Sequence, residues 1–270
     1  MTMPLPLYWL DAFTDRPFSG NPAAVVPLEN WLDDAVMQRI AFEHGLSETA
    51  FFVRTGSARF HLRWFAPTIE VDLCGHATLA TAHAIFHQLG QSGDAITFDT
   101  RSGPLVVTRR DDGKFTLDFP SRPAAPIPRA ALPDALARCL LPAAPVAWAK
   151  VATHAYYLAV FAHADEVRGL RPDFSLLATL GDTRLIATAP GTDSDFVSRF
   201  FAPGAGVPED PVTGSAHCTL TPYWSERLGK TRLHARQLSA RGGELWCELA
   251  AGRVRLTGQA VLYLRGEILV

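Results

Sequence analysis

The stretch RWFAPTIEVDLCGHATLATA, residues 63–82, contains the passage from a strand into a helix around which the rest of the chain is organised. An apolar strand ends at Phe65, and Pro67 lies in the turn that follows. Gly75 and His76 then open a segment of small and apolar residues, a composition typical of a buried helix.

A second stretch, RFFAPGAGVPEDPVTGSAHCT at residues 199–219, repeats the same order of residue types. Arg199 lies 136 residues after Arg63, and Gly214 lies 139 residues after Gly75, so the two stretches differ by a three-residue insertion. This repetition predicts two domains with the same plan.

Alternating apolar residues and glycine-containing turns predict several strands around each of the two helices. We therefore expect an α+β fold of two pseudo-symmetric domains, each a mostly antiparallel, β-barrel-like sheet wrapped around a central helix. The proline-rich segment 121–133 indicates a boundary between domains 1–120 and 121–270, and the terminal strand is expected to pack on the first domain.

The composition restricts the class of partner. The 270 residues include 25 basic and 27 acidic ones, and the net charge of −2 argues against a protein that binds nucleic acid. No apolar run approaches the roughly 18 residues of a membrane span, and no charged signal-peptide start is evident. We expect a cytoplasmic protein with a small-molecule carboxylate as substrate. The four cysteines show no zinc-type spacing and are predicted to be free thiols.

The two helix starts are candidate anion-binding sites, because the first backbone N–H groups of a helix lack partners within it and lie at the positive end of its dipole. Gly75-His76 and Gly214-Ser215 would bind a small carboxylate from two sides if they faced each other across a cleft between the domains.

A simpler interpretation of the same stretches stays open. Each glycine would then only make a tight turn, with Asp72 and Asp210 as helix caps. The polar residues of the two starts also differ, since His76 can exchange a proton near neutral pH whereas Ser215 can only form hydrogen bonds.

Glu48 is the candidate acid/base, because it stands after a glycine break at the entrance of the strand Thr49–Val53. The alternative is a carboxylate that caps a loop or faces water. The second half offers no counterpart: the 136-residue offset from Glu48 leads to Arg184, and the only carboxylate nearby is Asp182. The chemistry is therefore expected on one side only.

Four segments taken together resemble the PhzF family, the phenazine-biosynthesis-like isomerases: DAFTDRPFSGNPAAVV (11–26), GLSETAFFV (45–53), residues 63–86 and FFAPGAGVPEDPVTGSAHC (200–218). The resemblance implies the fold of diaminopimelate epimerase, with the active site in the interdomain cleft, and a homodimer. The family prototype moves a proton and a double bond in a dihydro-hydroxyanthranilate ring without a metal or organic cofactor.

By this resemblance, Glu48 is the catalytic acid/base, and His76, Asp210 and Ser215 complete the polar site. The expected catalytic residues are thus Glu48, His76 and Asp210. The expected substrate-binding residues are Gly75, His76, Asp210, Gly214 and Ser215.

Two other functions remain open at this stage. Related racemases and epimerases use two cysteines, and Cys74 precedes Gly75 where such a thiol could stand. The second stretch has no cysteine before Gly214, and Cys218 lies four residues after it, which disfavours a two-thiol enzyme. A non-catalytic protein that binds small carboxylates is the other alternative.

Overall fold

The computed structural model describes residues 4–270, which divide into two compact units. Unit 1 comprises the chain up to Phe119 together with Arg255–Val270, and unit 2 is Pro120–Val254. No helix within the described range is long and apolar enough to cross a membrane.

Unit 1 contains two α-helices and most of the strands from the first half of the chain. Its elements are β1 (Pro4–Ala12), β2 (Asn21–Leu28), α1 (Asp34–His44), β3 (Glu48–Arg54), β4 (Arg59–Phe65), β5 (Glu70–Val71), α2 (Gly75–His83), β6 (Ala95–Thr100), β7 (Gly103–Arg109) and β8 (Phe115–Pro120). A π-helical turn, Ala84–Gln88, extends α2.

Unit 2 contains the other four α-helices. Its elements are β9 (Ala124–Pro126), α3 (Asp134–Arg138), β10 (Ala147–Val151), β11 (Tyr156–Val160), α4 (Ala164–Gly169), α5 (Phe174–Ala178), β12 (Arg184–Pro190), β13 (Phe196–Ala202), β14 (Val207–Asp210), α6 (Gly214–Leu228), β15 (Arg232–Gln237) and β16 (Gly243–Ala250). β17 (Arg253–Gly258) spans the division, and the last strand is β18 (Ala260–Leu269).

The strands of the two units pair in the same order. In unit 1, β1–β2, β3–β4, β4–β5 and β6–β7 are antiparallel, whereas β2–β3 and β4–β6 are parallel. In unit 2, β10–β11, β12–β13, β13–β14 and β15–β16 are antiparallel, whereas β11–β12 and β13–β15 are parallel. The predicted α+β class and duplicated, mostly antiparallel plan are confirmed.

α1 covers one face of the unit 1 sheet. Met37 and Ile40 of this helix pack in one apolar cluster with Ala24 and Val26 of β2, and alternate residues of a strand share a face. Ala23 and Val25 lie on the opposite face and are also fully buried. β2 is thus apolar on both faces because both are covered.

α2 is enclosed on all sides, as its composition predicts. Every residue from Gly75 to Ala82 is buried. The hydroxyls of Thr78 and Thr81 donate to the carbonyls of Cys74 and Ala77, four residues earlier, and so are satisfied inside the core. Small side chains allow the surrounding strands to approach the helix closely.

The repeated arginines explain why the two stretches share a sequence pattern. Arg63 donates through Nε and Nη2 to both carboxylate oxygens of Glu70, at 2.8 and 2.7 Å. Arg199 makes the same two-point contact with Glu209, at 2.7 and 2.8 Å. Each pair joins a long strand, β4 or β13, to the short strand that lies between it and the helix, β5 or β14. Such bidentate pairs are strong and directional.

Candidate active site

Glu48 is the first residue of β3, and its backbone position is fixed from both sides. β2 pairs with it in parallel, Ala23 opposite Glu48, and the next residue, Thr49, pairs with Phe65 of β4. The Glu48 side chain is 17% exposed, so a small ligand can reach it. The strand-entrance position predicted for this carboxylate is the position it occupies.

The side chains of Glu48 and His76 meet at the start of α2. Nε2 of His76 lies 3.2 Å from Oε2 of Glu48, and the imidazole is almost completely buried. On the other side of the ring, Nδ1 lies 3.0 Å from Nδ2 of Asn21 and 3.5 Å from Sγ of Cys74. The imidazole is therefore held by contacts at both of its nitrogens.

Burial lowers the pKa of His76 to about 3, because the charged imidazolium loses its hydration inside the core. His76 is thus a neutral imidazole at physiological pH. The expectation that it exchanges a proton near neutral pH is not supported, since its surroundings remove the solvent that a charged ring requires.

Three unlike donors converge at this point. Ligand atoms of Glu48, Cys74 and His76 lie within 4.8 Å of one another, and among residues 4–270 they form the one such group. Carboxylate, thiolate and imidazole are all ligands of zinc, so this set could hold a divalent ion of that type.

Neither aspartate suggested as a helix cap occupies the cap position. The N-cap residues are Cys74 for α2 and Thr213 for α6, and neither caps its helix with its side chain. Asp72 precedes its helix by three residues and is exposed. The simpler interpretation of the two stretches as capped turns is therefore wrong about which residues cap the helices.

Asp210 belongs to a hydrogen-bonded cluster at the start of α6. Its Oδ2 accepts from the hydroxyl of Thr213 at 2.5 Å. The buried Gln237 donates to the Asp210 carbonyl at 2.7 Å and to the Thr213 hydroxyl at 3.2 Å, and it accepts from the Thr213 N–H at 2.9 Å. Gln237 thus fixes the loop that carries Asp210.

Ser215 lies in the first turn of α6 and belongs to a separate polar group of unit 2. Its Oγ is 3.3 Å from the hydroxyl of Tyr156, and Nη1 of Arg184 donates to that same hydroxyl at 3.2 Å. Because the guanidinium can only donate, the Tyr156 proton is available for Ser215, and the Ser215 proton is available for a ligand.

The remaining candidates at α6 are internal to the helix. Burial raises the pKa of the Cys218 thiol to about 12, which keeps it protonated and unsuited to act as a base. His217 is fully buried, and its Nδ1 donates to the Thr213 carbonyl at 2.8 Å. Both are buried residues of the helix.

Sequence reasoning missed Asn21, Tyr156 and Gln237. Asn21 begins β2, and its contact with His76 spans 55 residues of sequence. Gln237 contacts Thr213 across 24 residues. No local spacing marks such contacts. What the three residues share in the sequence is a polar side chain at the end of a strand.

Comparison with known proteins identifies the family of this chain. The family model described as phenazine biosynthesis-like protein matches residues 10–266. An uncharacterised isomerase of Pseudomonas aeruginosa is 50% identical over 267 residues, which cover 98% of this chain and 99% of that protein.

Solved structures show the same fold. The crystal structure of a phenazine biosynthesis protein of the PhzF family from Enterococcus faecalis has a TM-score of 0.92 and 43% identity, over 99% of this chain and 100% of that one. A hydroxyproline epimerase from Agrobacterium vitis has a TM-score of 0.62 at 11% identity, over 99% of this chain and 93% of that one, and shares the fold alone. This chain is an enzyme of the isomerase class and belongs to the phenazine biosynthesis-like (PhzC-PhzF) family.

Proposed function

We propose that this enzyme relays a proton within a small carboxylated, cyclic or unsaturated metabolite, without a cofactor, and that Glu48 is the acid/base. The observation that supports this most is the placement of the Glu48 carboxylate, which is accessible on one side and lies 3.2 Å from a buried, neutral imidazole. A single carboxyl group can take a proton from one carbon and return it to another.

The proposal assigns carboxylate binding to the helix starts. Gly75-His76 at α2 and Gly214-Ser215 at α6 present backbone N–H groups, and the Ser215 hydroxyl adds a donor. These donors would stabilise negative charge that develops on the substrate during proton transfer. Asp210 is proposed as a further polar residue of the site. A cleft between the domains, a homodimer and a cytoplasmic location stay predictions.

The test compares wild type with Glu48→Gln in D2O, with a dihydro-hydroxyanthranilate as probe and mass spectrometry to follow deuterium incorporation. Glutamine keeps the size and polarity of the side chain but cannot accept the proton. We expect wild type to exchange and the variant to lose exchange by about 10²–10⁴-fold while still binding the probe. Undiminished exchange in the variant would exclude Glu48 as the acid/base.

The two alternatives give different results in the same assay. A cysteine-dependent racemase would exchange the α-proton of proline or 4-hydroxyproline and would lose that exchange in Cys74→Ser. A non-catalytic carboxylate-binding protein would bind the dihydro-hydroxyanthranilate saturably and exchange deuterium into none of the three probes. The buried, protonated Cys218 argues against a second catalytic thiol on α6.

A further inference from the structure

Asn21 is placed with little freedom beside the proposed catalytic pair. It is the first residue of β2 and is fully buried. Gly20 before it has φ +66°, and a Cβ at that position would lie 2.2 Å from the carbonyl oxygen of Ala12, so only glycine fits this turn. Because Ala23 of the same strand pairs with Glu48, β2 carries Asn21 to the edge of the site.

The contact between Asn21 and His76 determines which ring nitrogen carries the proton. The Nδ2 amide group of Asn21 can only donate, and it lies 3.0 Å from Nδ1 of His76. Sγ of Cys74 lies 3.5 Å from the same nitrogen. Nδ1 is therefore the acceptor, and the single proton of the neutral ring is on Nε2.

The protonated nitrogen is the one that faces the carboxylate. Nε2 of His76 lies 3.2 Å from Oε2 of Glu48. Asn21 thus donates to Nδ1 of His76, and the protonated Nε2 on the other side of the ring lies opposite the Glu48 carboxylate. The opposite tautomer would place two acceptors, Nε2 and the carboxylate, against each other.

We propose that Asn21 is a positioning residue that fixes His76 as the Nε2–H tautomer, so that His76 orients the Glu48 carboxylate and does not itself carry the proton. The proposal rests on the assignment of Glu48 as acid/base. It predicts that the fully buried amide of Asn21 controls the rate of proton transfer through the neighbouring His76 ring.

The tautomer can be measured without a substrate, by NMR of the full-length protein labelled with ¹⁵N-histidine. The chain has nine histidines, and the signals of His76 are those lost in His76→Gln. We expect a pyrrole-like Nε2 and a pyridine-like Nδ1 in wild type. A pyrrole-like Nδ1 would overturn the proposal, even if Glu48 proved to be the acid/base.

Two substitutions of nearly equal size then test the role of Asn21. In Asn21→Asp the carboxylate can only accept, so we expect the proton to move to Nδ1 or the ring to become doubly protonated. In Asn21→Leu no donor remains on the side chain, and we expect a mixture of tautomers. A merely structural residue would leave the His76 signals of folded protein unchanged in both variants.

The kinetic consequence is measured with the dihydro-hydroxyanthranilate probe. We expect either Asn21 variant to lower kcat of deuterium exchange by about 10- to 100-fold, below the full effect of removing a general base, with a smaller change in KM. Full kcat in folded Asn21→Asp, with its tautomer changed, would overturn the proposal. Exchange that survives Glu48→Gln would instead refute the proposed function and leave the tautomer result standing.

Discussion

Glu48 and Arg184 occupy corresponding positions in the two units. Each is the first residue of a strand that pairs in parallel with the strand before it and antiparallel with the strand after it. The duplicated plan therefore places a carboxylate in unit 1 where unit 2 has a guanidinium. Under the proposed function, this difference in charge separates a proton-transfer group from a group suited to binding an anion.

This separation predicts opposite kinetic effects at the two positions. Arg184→Met removes the donor to the Tyr156 hydroxyl, so we expect KM for an exchanging carboxylate to rise about tenfold, which corresponds to about 1.4 kcal/mol, with kcat largely kept. Steady-state deuterium exchange measures both constants. The control is Arg129→Met, which removes the same charge from an exposed position in unit 2. Loss of kcat at saturating probe would contradict the assignment.

Cys74 offers a test between thiol and carboxylate chemistry. We expect Cys74→Ser to keep far more exchange activity than Glu48→Gln, because a serine hydroxyl can still donate toward Nδ1 of His76. Parallel exchange assays of the two variants at equal protein concentration measure the difference. Inactivity of Cys74→Ser alongside an active Glu48→Gln would reverse the roles proposed for these two residues.

The buried pair Arg199–Glu209 is predicted to be important for stability. Nη1 of Arg199 also donates to the carbonyls of Val167 and Leu170, so Arg199→Met leaves several buried acceptors and the Glu209 carboxylate without this partner. We expect a loss of about 3–5 kcal/mol in urea unfolding.

The matched control for that measurement is the exposed pair Arg232–Glu248 of the same unit. Its arginine side chain is 83% exposed, so Arg232→Met should cost less than about 1 kcal/mol. Equal effects of the two substitutions on the unfolding midpoint would show that the Arg199–Glu209 contact contributes no more to stability than the exposed pair does.

The buried His217 predicts that the protein becomes less stable as the pH is lowered. Burial lowers the pKa of His217 to about 4 from its ordinary value of 6.5, so between these values the unfolded chain binds the proton more strongly than the folded one. Stability from this group is complete above pH 6.5 and declines by up to about 3 kcal/mol as the pH approaches 4.

His217→Asn keeps a donor for the Thr213 carbonyl but does not titrate. We therefore expect its unfolding free energy to depend less steeply on pH than that of wild type between pH 7 and 5. His163→Asn, at an exposed helix N-cap where asparagine also caps well, is the control. An unchanged slope in His217→Asn would show that His217 is not the group responsible.

The parts of the fold that follow from local chemistry were predictable. The Arg-aromatic-aromatic-Ala-Pro order at Arg63 and Arg199 indicated a repeated unit, since each arginine has the same structural partner a few residues later. Small residues after Gly75 indicated a central helix, because only such side chains permit close packing on every face.

The parts that depend on long-range contacts were not predictable. Asn21 contacts a residue 55 positions away, and Gln237 contacts one 24 positions away. The tertiary structure brings each residue to its partner. The protonation of His76 depends on how completely the surrounding strands exclude water, which residue type alone cannot show.

The last strand has a consequence for biosynthesis of the enzyme. β18 pairs along the whole of β1, so unit 1 is completed only after all of unit 2 has been made. Since domains tend to fold as units during synthesis, the unit that begins first is the one that finishes last. A chain truncated before Ala260 would lack one of the two strands that pair with β1 and could not complete unit 1, so the fold of the segment that contains Glu48 depends on residues made after unit 2.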